Sequence, residues 1–266
     1  MIVKTAVKPL PCLGVEIDGL NTGEVDNSCD ASELVELLDQ HHLLVLREQR
    51  LTENQLIGVS RLFGKPVQAL VPTHRLEDYP VITRHTNIKN EHQAPLGVIA
   101  PEYVFHSDSY FSANPSKVTL LYSLKAPDEG GETCFVDMCK VYDSLTESMK
   151  DAISDKRAIY KNAYINQPNV VHPMVRVHPV TKRHALFVNI HRALGIEGME
   201  DESAIALLQE LYDYSIQPRF VYKHVWRNND LLVWNNPTTM HCATHISDSK
   251  ERFLYRILTE GDLPVV

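Results

Sequence analysis

The chain has 266 residues, of which 44% are hydrophobic, and carries a formal net charge of −8. This length and apolar content can bury a large core, and all-β chains of this size are commonly a single domain. Because no long basic run accompanies the acidic balance, the sequence argues against nucleic acid or an anionic membrane as a partner, and any bound anion has to be held by a local group.

The cysteines indicate a reducing environment. The chain has five, an odd number, with no CxxC spacing, and its N-terminus shows neither a signal-peptide pattern nor a long apolar span. Such a pattern indicates neither a disulfide framework nor secretion. We therefore expect a reduced, cytoplasmic protein.

The first third of the chain predicts two short helices between strands. Asp30-Ala31-Ser32-Glu33 has capping-box spacing and predicts a helix over about 31–40. A second capping box, from Thr52 to Gln55, opens a helix that Gly64 ends. Short strands are predicted over residues 14–19, 43–46 and 81–83.

A polar segment follows from His85 to Glu102, broken by Pro95, Gly97 and Pro101. A long segment without periodicity in a compact domain is commonly functional or mobile. We interpret residues 85–102 as a lid candidate, and a plain surface loop is the alternative.

An HxD pattern comes next, within Val104 to Phe111. Side chains alternate along an extended strand, so His106 and Asp108 would lie on one face and could reach one ion. The pattern alone is weak, because a hydrogen-bonded histidine–aspartate pair also explains it.

The middle of the chain predicts mostly strands. A strand over 118–124, a turn from Pro127 to Gly131 and a strand over 132–136 predict a hairpin. Further elements are predicted as a helix over 146–154, a strand over 158–160, a hairpin of 175–179 with 185–188, and a helix over 201–214 with a core stripe of Ile205, Leu208, Leu211 and Tyr212.

Near the C-terminus, Leu231 to Trp234 predicts a buried strand, which Asn235-Asn236-Pro237 breaks. Residues 252–259 predict another strand, with Arg252 and Arg256 on one face together with Leu254 and Leu258. Two arginines on the inner face of a sheet are costly unless anions meet them. This pattern is the first indication of an anionic ligand.

These elements predict a β-rich (α+β) fold with helices at its edges. Strands that bring an HxD pattern and a distant histidine together indicate a double-stranded β-helix, the jelly roll used by cupins. The chain has no repeat, low-complexity segment or convincing linker, so residues 1–266 are expected to form one domain.

Four features in order carry a family resemblance: His106-Ser107-Asp108, Gly130-Gly131-Glu132-Thr133, Trp234-Asn235-Asn236 with His241, and Arg252 eleven residues beyond that histidine. Together they resemble the Fe(II)- and 2-oxoglutarate-dependent dioxygenases of the taurine dioxygenase and 2,4-dichlorophenoxyacetate dioxygenase (TauD/TfdA) family. Residues 14–20 and Phe63-Gly64 look similar too, so the resemblance covers nearly the whole chain.

The resemblance implies that His106, Asp108 and His241 form a 2-His-1-carboxylate triad on Fe(II), which leaves the opposite face of the ion open. It also implies that Arg252 and the Thr133 hydroxyl bind the distal carboxylate of 2-oxoglutarate. With O2, such an enzyme converts 2-oxoglutarate to succinate and CO2 and oxidises a small-molecule substrate.

Several residues keep another interpretation. Thr133 is also an ordinary strand threonine, and Arg256 either holds an acidic substrate group, as in some relatives, or pairs with a nearby carboxylate. His245 lies four residues after His241, but Cys242 replaces the glutamate that a zinc-protease helix would need there. Cys242 is interpreted as a small buried thiol.

Departures from the family narrow the substrate. An ungapped match places Ala69 and Glu102 where taurine dioxygenases carry a histidine and an asparagine for the sulfonate, so taurine is disfavoured. Glu102 could meet an ammonium group, which leaves an amino-acid-like substrate open. Because Asp108 is retained, hydroxylation or desaturation is favoured over halogenation.

An oxygenase is the preferred hypothesis, most simply a hydroxylase, with desaturation or epoxidation by the same chemistry as an alternative. A non-catalytic jelly-roll metal-binding protein is the alternative from another class. A cupin-like isomerase or hydrolase would have no use for Arg252 and Thr133 together. By family likeness a homodimer or homotetramer would be unsurprising.

Overall fold

The computed structural model describes residues 6–24, 29–68, 72–92, 94, 96–98, 103–163 and 166–262. Within these ranges the α-helices are α1 (Cys29–His41), α2 (Glu53–Phe63), α3 (Met138–Ser144), α4 (Glu147–Ile153) and α5 (Asp201–Ser215). The strands are β1 (Ala6–Pro9), β2 (Val15–Asp18), β3 (Leu43–Leu46), β4 (Pro66–Val67), β5 (Arg75–Leu76), β6 (Tyr79–Thr86), β7 (Val118–Lys125), β8 (Thr133–Asp137), β9 (Arg157–Tyr160), β10 (Val170–Pro173), β11 (Val175–Val177), β12 (His184–Leu186), β13 (Ala193–Ile196), β14 (Val221–His224), β15 (Leu231–Asn235), β16 (Thr239–Ala243) and β17 (Phe253–Thr259).

The largest sheet is mixed and has nine strands in the order β1-β2-β3-β15-β7-β17-β6-β5, with β4 paired to β17. Its strand pairs are antiparallel except for β2 with β3. A second sheet, β14-β8-β16, is antiparallel. Between β8 and β14 in the chain come the strands of a β10-β9-β13 sheet and the β11-β12 hairpin. The chain is therefore β-rich, as the sequence predicts.

Alternation along β7 and β15 divides the core into two layers. Leu120 and Val233 pack in one cluster with apolar residues of α1 and α2, which therefore cover one face of the large sheet. Leu121 and Trp234, one residue along each strand, pack in another cluster with Phe135 of β8. Because successive strand residues point to opposite faces, the second sheet lies against the face that α1 and α2 leave uncovered.

A third apolar cluster covers the outer side of the second sheet. Val136 of β8 and Met240 of β16 pack there with Leu208 and Leu211 of α5. The side chains that flank them on the same strands, Phe135 and His241, point the other way, toward the large sheet. The strand period thus places His241 between the two sheets.

The predicted start and end of α2 are confirmed. The Thr52 hydroxyl accepts a hydrogen bond from Gln55 N at 3.3 Å, and Gln55 Oε1 accepts one from Thr52 N at 3.0 Å. Both halves of the capping box therefore satisfy amides that the helix itself leaves unpaired. Gly64 ends the helix at φ 150°, and a Cβ there would lie 3.1 Å from Thr259 Cβ.

Four predicted details of the elements are wrong. Residues 118–125 and 133–137 do not form a hairpin, because β7 enters the large sheet and β8 the second one. Helix α1 starts at Cys29, so Asp30 lies in its first turn rather than at its N-cap. Ile205 on α5 is 44% exposed, while Ala204 takes its place in the core. His106 and Asp108 lie at an isolated bridge and a turn rather than on a regular strand.

The segment predicted as a lid is partly built onto β6. His85 and Thr86 are the last residues of that strand, Thr86 N donates to Val98 O at 3.1 Å, and Val98 N donates to Arg84 O at 2.9 Å. Glu102 lies outside the described residues. No helix in the described part of the chain is both long and apolar enough to cross a bilayer.

Candidate metal centre

Two histidines and one aspartate converge between the two sheets. His106 and His241 face each other across an isolated antiparallel bridge, with N–H to O distances of 3.0 and 2.8 Å in the two directions. Asp108 lies at the turn that follows His106, and all three side chains are buried. Their candidate ligand atoms lie within 4.8 Å of one another. The sequence-predicted triad is thus assembled in one place.

The two histidine rings are oriented by their surroundings. His106 Nδ1 is 2.9 Å from the carbonyl oxygen of Val104, which can only accept, so Nδ1 carries the proton and Nε2 carries the lone pair. The His241 ring lies 4.8 Å from the Trp234 ring and 6.1 Å from the Phe135 ring. His241 Nε2 is 3.9 Å from Asp108 Oδ2, so it points toward the carboxylate.

A chain of hydrogen bonds fixes the position of the Asp108 carboxylate. The Thr119 hydroxyl donates to Asp108 Oδ2 at 2.6 Å and accepts from Asn236 Nδ2 at 2.8 Å. Asn236 Oδ1 accepts from the backbone N–H of Asp108 at 3.2 Å and from the Trp234 indole at 3.0 Å. Because each of these polar groups is buried and paired, the carboxylate has one defined position.

The charge on Asp108 is stabilised at the site. Burial alone would raise the pKa of Asp108, but the charges of Arg256, His241 and His106 outweigh burial, and the Thr119 hydrogen bond adds to them. The pKa of Asp108 therefore lies well below its ordinary value of 3.8. Arg256 Nη1 contributes a direct ion pair to Asp108 Oδ1 at 3.2 Å. Asp108 is consequently an anionic oxygen donor at neutral pH.

Arg252 is a second buried cation, and its charge acts on the His85 ring as that of Arg256 does. Burial lowers the pKa of Arg252 to about 10, an effect that Tyr103 opposes. Its Nε is buried and has no hydrogen-bond partner among the described residues. The side chain lies against the loop before β8, where a Cβ added to Gly131 would be 3.2 Å from Arg252 Cδ. A buried guanidinium with an open donor is suited to an anionic ligand.

Thr133, the first residue of β8, lies two residues beyond Gly131 and is 2% exposed. Its hydroxyl oxygen accepts a hydrogen bond from the Trp226 indole at 3.1 Å. An indole N–H only donates, so the hydroxyl proton of Thr133 remains available for an acceptor.

A cavity of about 380 Å³ opens beside His106 and Asp108. Its lining includes Arg256 together with His74, Thr83, Phe111, Ser116 and Leu258. Arg256 and Leu258 therefore face the cavity, while Tyr255 and Ile257 pack with the residues of α1 and α2, as the predicted alternation of β17 requires. The cavity lies where a substrate could approach a metal held by His106 and Asp108.

Sequence reasoning missed His85 as a site residue. Burial lowers the pKa of His85 well below 6.5, and the charges of Arg256 and Arg252 lower it further. Its buried Nε2 has no hydrogen-bond partner within the described ranges. His85 is thus a neutral ring close to both arginines. Its place at the end of β6 gave no sequence signal, because the polar segment after it obscures the end of the strand.

The remaining sequence candidates lie apart from the centre or outside the described residues. Ala69 and Glu102 are in the latter group. His245 stacks on Tyr103 at 6.4 Å between ring centroids. Cys242 is a buried free thiol that pairs across strands with Cys134. The thiol interpretation of Cys242 is therefore confirmed.

A second group of donors, His42, Asp137 and Cys139, is also buried and compact. Arg183 Nη1 approaches His42 Nε2 at 3.4 Å, and the Asp137 carboxylate caps α3 by accepting from Cys139 N and Lys140 N. A guanidinium on the histidine and a carboxylate used as a helix cap make this group a poor cation site.

The sequence model of the taurine catabolism dioxygenase TauD, TfdA family matches residues 6–258. The chain belongs to the TauD/TfdA family. The match includes His106, Asp108, His241 and Arg252, so the assembled centre lies inside the family region.

Individual relatives in this family agree with that assignment. The chain is 28% identical over 289 residues to an alpha-ketoglutarate-dependent 2,4-dichlorophenoxyacetate dioxygenase of Cupriavidus pinatubonensis, covering 99% of each chain. It is 24% identical to a pentalenolactone F synthase of Streptomyces avermitilis, covering 96% of this chain and 94% of the relative. The crystal structure of AAD-2 in complex with Mn(II) and N-oxalylglycine superposes with a TM-score of 0.85 at 26% identity, covering 99% of both chains.

Proposed function

We propose that this protein is an Fe(II)- and 2-oxoglutarate-dependent dioxygenase that hydroxylates a small-molecule substrate and converts 2-oxoglutarate to succinate and CO2. The observation that carries the proposal is the convergence of His106, Asp108 and His241 within 4.8 Å in a buried site. Membership of the TauD/TfdA family supports the same reaction class.

The donor set suits Fe(II). His106 and His241 would each supply a ring nitrogen and Asp108 a carboxylate oxygen, which is the 2-His-1-carboxylate set of non-haem iron oxygenases. Asp108 is ionised, and the neutral form of His106, with its proton on Nδ1 toward Val104 O, would offer Nε2 as a donor atom. Bound iron supplies the oxidising chemistry with O2. The protein's own part is to hold the ion on one side and leave the other side to the ligands.

Arg252 and Thr133 would hold 2-oxoglutarate. The buried Arg252 guanidinium would donate to the distal carboxylate, and the Thr133 hydroxyl, which already accepts from Trp226, would donate its proton to the same group. Pairing also removes the cost of a buried cation without an anion. Gly131 keeps room for Arg252 to take this position.

For the substrate we propose a small molecule that carries a carboxylate. Arg256 and His74 line the cavity of about 380 Å³ beside Asp108, and both can donate to an acid group. The pair that Arg256 makes with Asp108 also lets it fix the metal ligand. The family relative named for 2,4-dichlorophenoxyacetate acts on such an acid. If Glu102 reaches the same cavity, an amino acid would satisfy both charges.

These parts fit a jelly-roll core within a single domain over residues 1–266. The two facing sheets that enclose the histidines support that architecture. We also propose residues 85–102 as a lid, because Val98 lines the cavity and Asn87 Oδ1 accepts from the backbone N–H of Arg252 at 2.9 Å. Movement of this segment would therefore change both the wall of the cavity at Val98 and the contact that Asn87 makes with Arg252.

Succinate formation tests the function. Purified protein with Fe(II), ascorbate, O2 and 2-oxoglutarate is expected to form succinate, faster when a screen of small carboxylates, aryloxy acids and amino acids supplies the substrate. His241→Ala should reduce succinate to background, while the matched control His245→Ala should retain it. Succinate formation that persists unchanged in His241→Ala, or its complete absence from the wild type, would refute the proposal.

A further inference from the structure

A second cavity, of about 400 Å³, lies beside the cavity at His106 and Asp108, which is called the catalytic cavity below. Segment 114–117 separates the two: Asn114 and Ser116 line the catalytic cavity, and Pro115 and Lys117 line the second. Most of the second lining is apolar, contributed by Leu38 of α1, Leu62 and Phe63 of α2, Val118 of β7, Val177 of β11 and Pro237. Such a lining favours an apolar body over ordered water.

Arg176 of β11 is the exception in this lining. It is 4% exposed, and its Nε and Nη2 have no hydrogen-bond partner in the described part of the chain. Its guanidinium carbon lies 3.2 Å from the centre of the Phe187 ring, which satisfies one face of the guanidinium but not its N–H edge. Burial lowers the pKa of Arg176 to about 9. A desolvated cation of this kind is costly without an anion.

The carboxylates around the cavity are engaged elsewhere. Asp39 lies 3.5 Å from His178 Nε2, and Asp262 lies 3.5 Å from Lys117 Nζ. Within the described ranges no carboxylate forms an ion pair with Arg176. Among the described residues, therefore, none supplies the anion that Arg176 requires.

A second buried polar atom lines the same cavity. The side-chain amide of Asn235 is 3.1 Å from His178 Nε2, and the other terminal atom of this amide is buried without a partner among the residues described. Val180, also in the lining, is 64% exposed and places one end of the cavity at the surface. A ligand could enter there and reach Arg176, which lines the cavity.

We propose that this second cavity binds a small monocarboxylate with an apolar body, separately from the catalytic site. The carboxylate accepts hydrogen bonds from the N–H edge of Arg176, and the apolar body packs against the aliphatic lining from α1 and α2. The charge of the ligand replaces the missing partner of Arg176, and its apolar part fills the space that side chains leave.

Octanoate is the probe for a calorimetric test. The full chain is loaded with Mn(II) and N-oxalylglycine, so that the 2-oxoglutarate position is filled, and titrated with octanoate or with the neutral octanamide. We expect saturable octanoate binding, at least about tenfold tighter than octanamide binding. Arg176→Met should weaken octanoate at least about tenfold, while Arg256→Met, in the catalytic cavity, should leave its Kd within about twofold.

Val177→Phe tests the same cavity independently, because the larger side chain fills the cavity and Arg176 is kept. It should abolish octanoate binding even if Arg176→Met does not fold. The proposal is overturned if octanoate shows no saturable binding up to about 10 mM, or if octanamide binds equally well. It is also overturned if Arg256→Met removes binding while Val177→Phe leaves it unchanged, since octanoate then occupies the catalytic cavity.

Discussion

Thr119→Val removes the hydroxyl that donates a hydrogen bond to Asp108 and keeps the shape of the side chain. In the structure this hydroxyl donates to Asp108 Oδ2 at 2.6 Å and accepts from Asn236 Nδ2 at 2.8 Å. Thr119 is completely buried, so water cannot replace it. A hydrogen bond to a charged group is worth about 1.5–3 kcal/mol. Partners of this kind behind a metal ligand typically contribute 10- to 100-fold in metal affinity.

We therefore expect Thr119→Val to weaken Fe(II) binding by about 10- to 100-fold, the equivalent of about 1.4–2.7 kcal/mol. Anaerobic titration of the apoprotein with Fe(II) or Mn(II) measures this affinity. Thr119→Ser is the matched control, because it keeps the hydroxyl, and it should stay within about threefold of wild type. An unchanged metal affinity in Thr119→Val, with the protein still folded by circular dichroism, would refute the role assigned to this hydrogen bond.

Three further predictions follow from other parts of the structure. Arg252→Lys loses the two-pronged geometry of a guanidinium, and Thr133→Val loses the hydroxyl donor. Each should raise the KM for 2-oxoglutarate about tenfold or more, while the metal affinity stays unchanged as the control. An unchanged KM in both variants would contradict the assignment. Gly131→Ala should raise the same KM, because residue 131 has φ 67° and the new Cβ would lie 3.2 Å from Arg252 Cδ, whereas Gly58→Ala, with open space around it, should leave KM alone. Burial lowers the pKa of His172 to about 4 from 6.5, so the folded state favours its neutral form and loses stability as pH falls from about 6.5 toward 4, by at most about 3 kcal/mol. Urea unfolding of wild type and His172→Gln across this range checks it, and an equal loss in both proteins would exclude His172 as the cause.

Local sequence signals predicted most elements because neighbouring residues determine them. The Thr52 capping box and Gly64 fixed the ends of α2, and the apolar runs at Leu43 and Leu231 became buried strands. Helix α3 was missed because Asp137, which caps it, is also the last residue of β8, so no loop separates the strand from the helix. Local pattern also failed to show that β7 and β8 enter different sheets, since pairing partners come from distant parts of the chain.

The candidate site likewise has residues that the sequence predicted and contacts that it could not predict. The HxD spacing and family features were visible in sequence, and the structure assembles His106, Asp108 and His241. The hydrogen bond from Asn236 to Thr119 joins residues 117 positions apart, so nothing near either residue could reveal it. His74 and Arg176 each line a cavity whose other residues come from different elements, so their own neighbours in the chain gave no signal for either.

Anomalous diffraction from crystals grown with Mn(II) and N-oxalylglycine tests the central claim most directly, because it locates the metal without assuming its ligands. We predict one strong peak within bonding distance of His106 Nε2, the Asp108 carboxylate and His241 Nε2, with the N-oxalylglycine carboxylate on Arg252. A peak at any other group of side chains, such as His42, Asp137 and Cys139, with none between His106 and His241, would contradict the account.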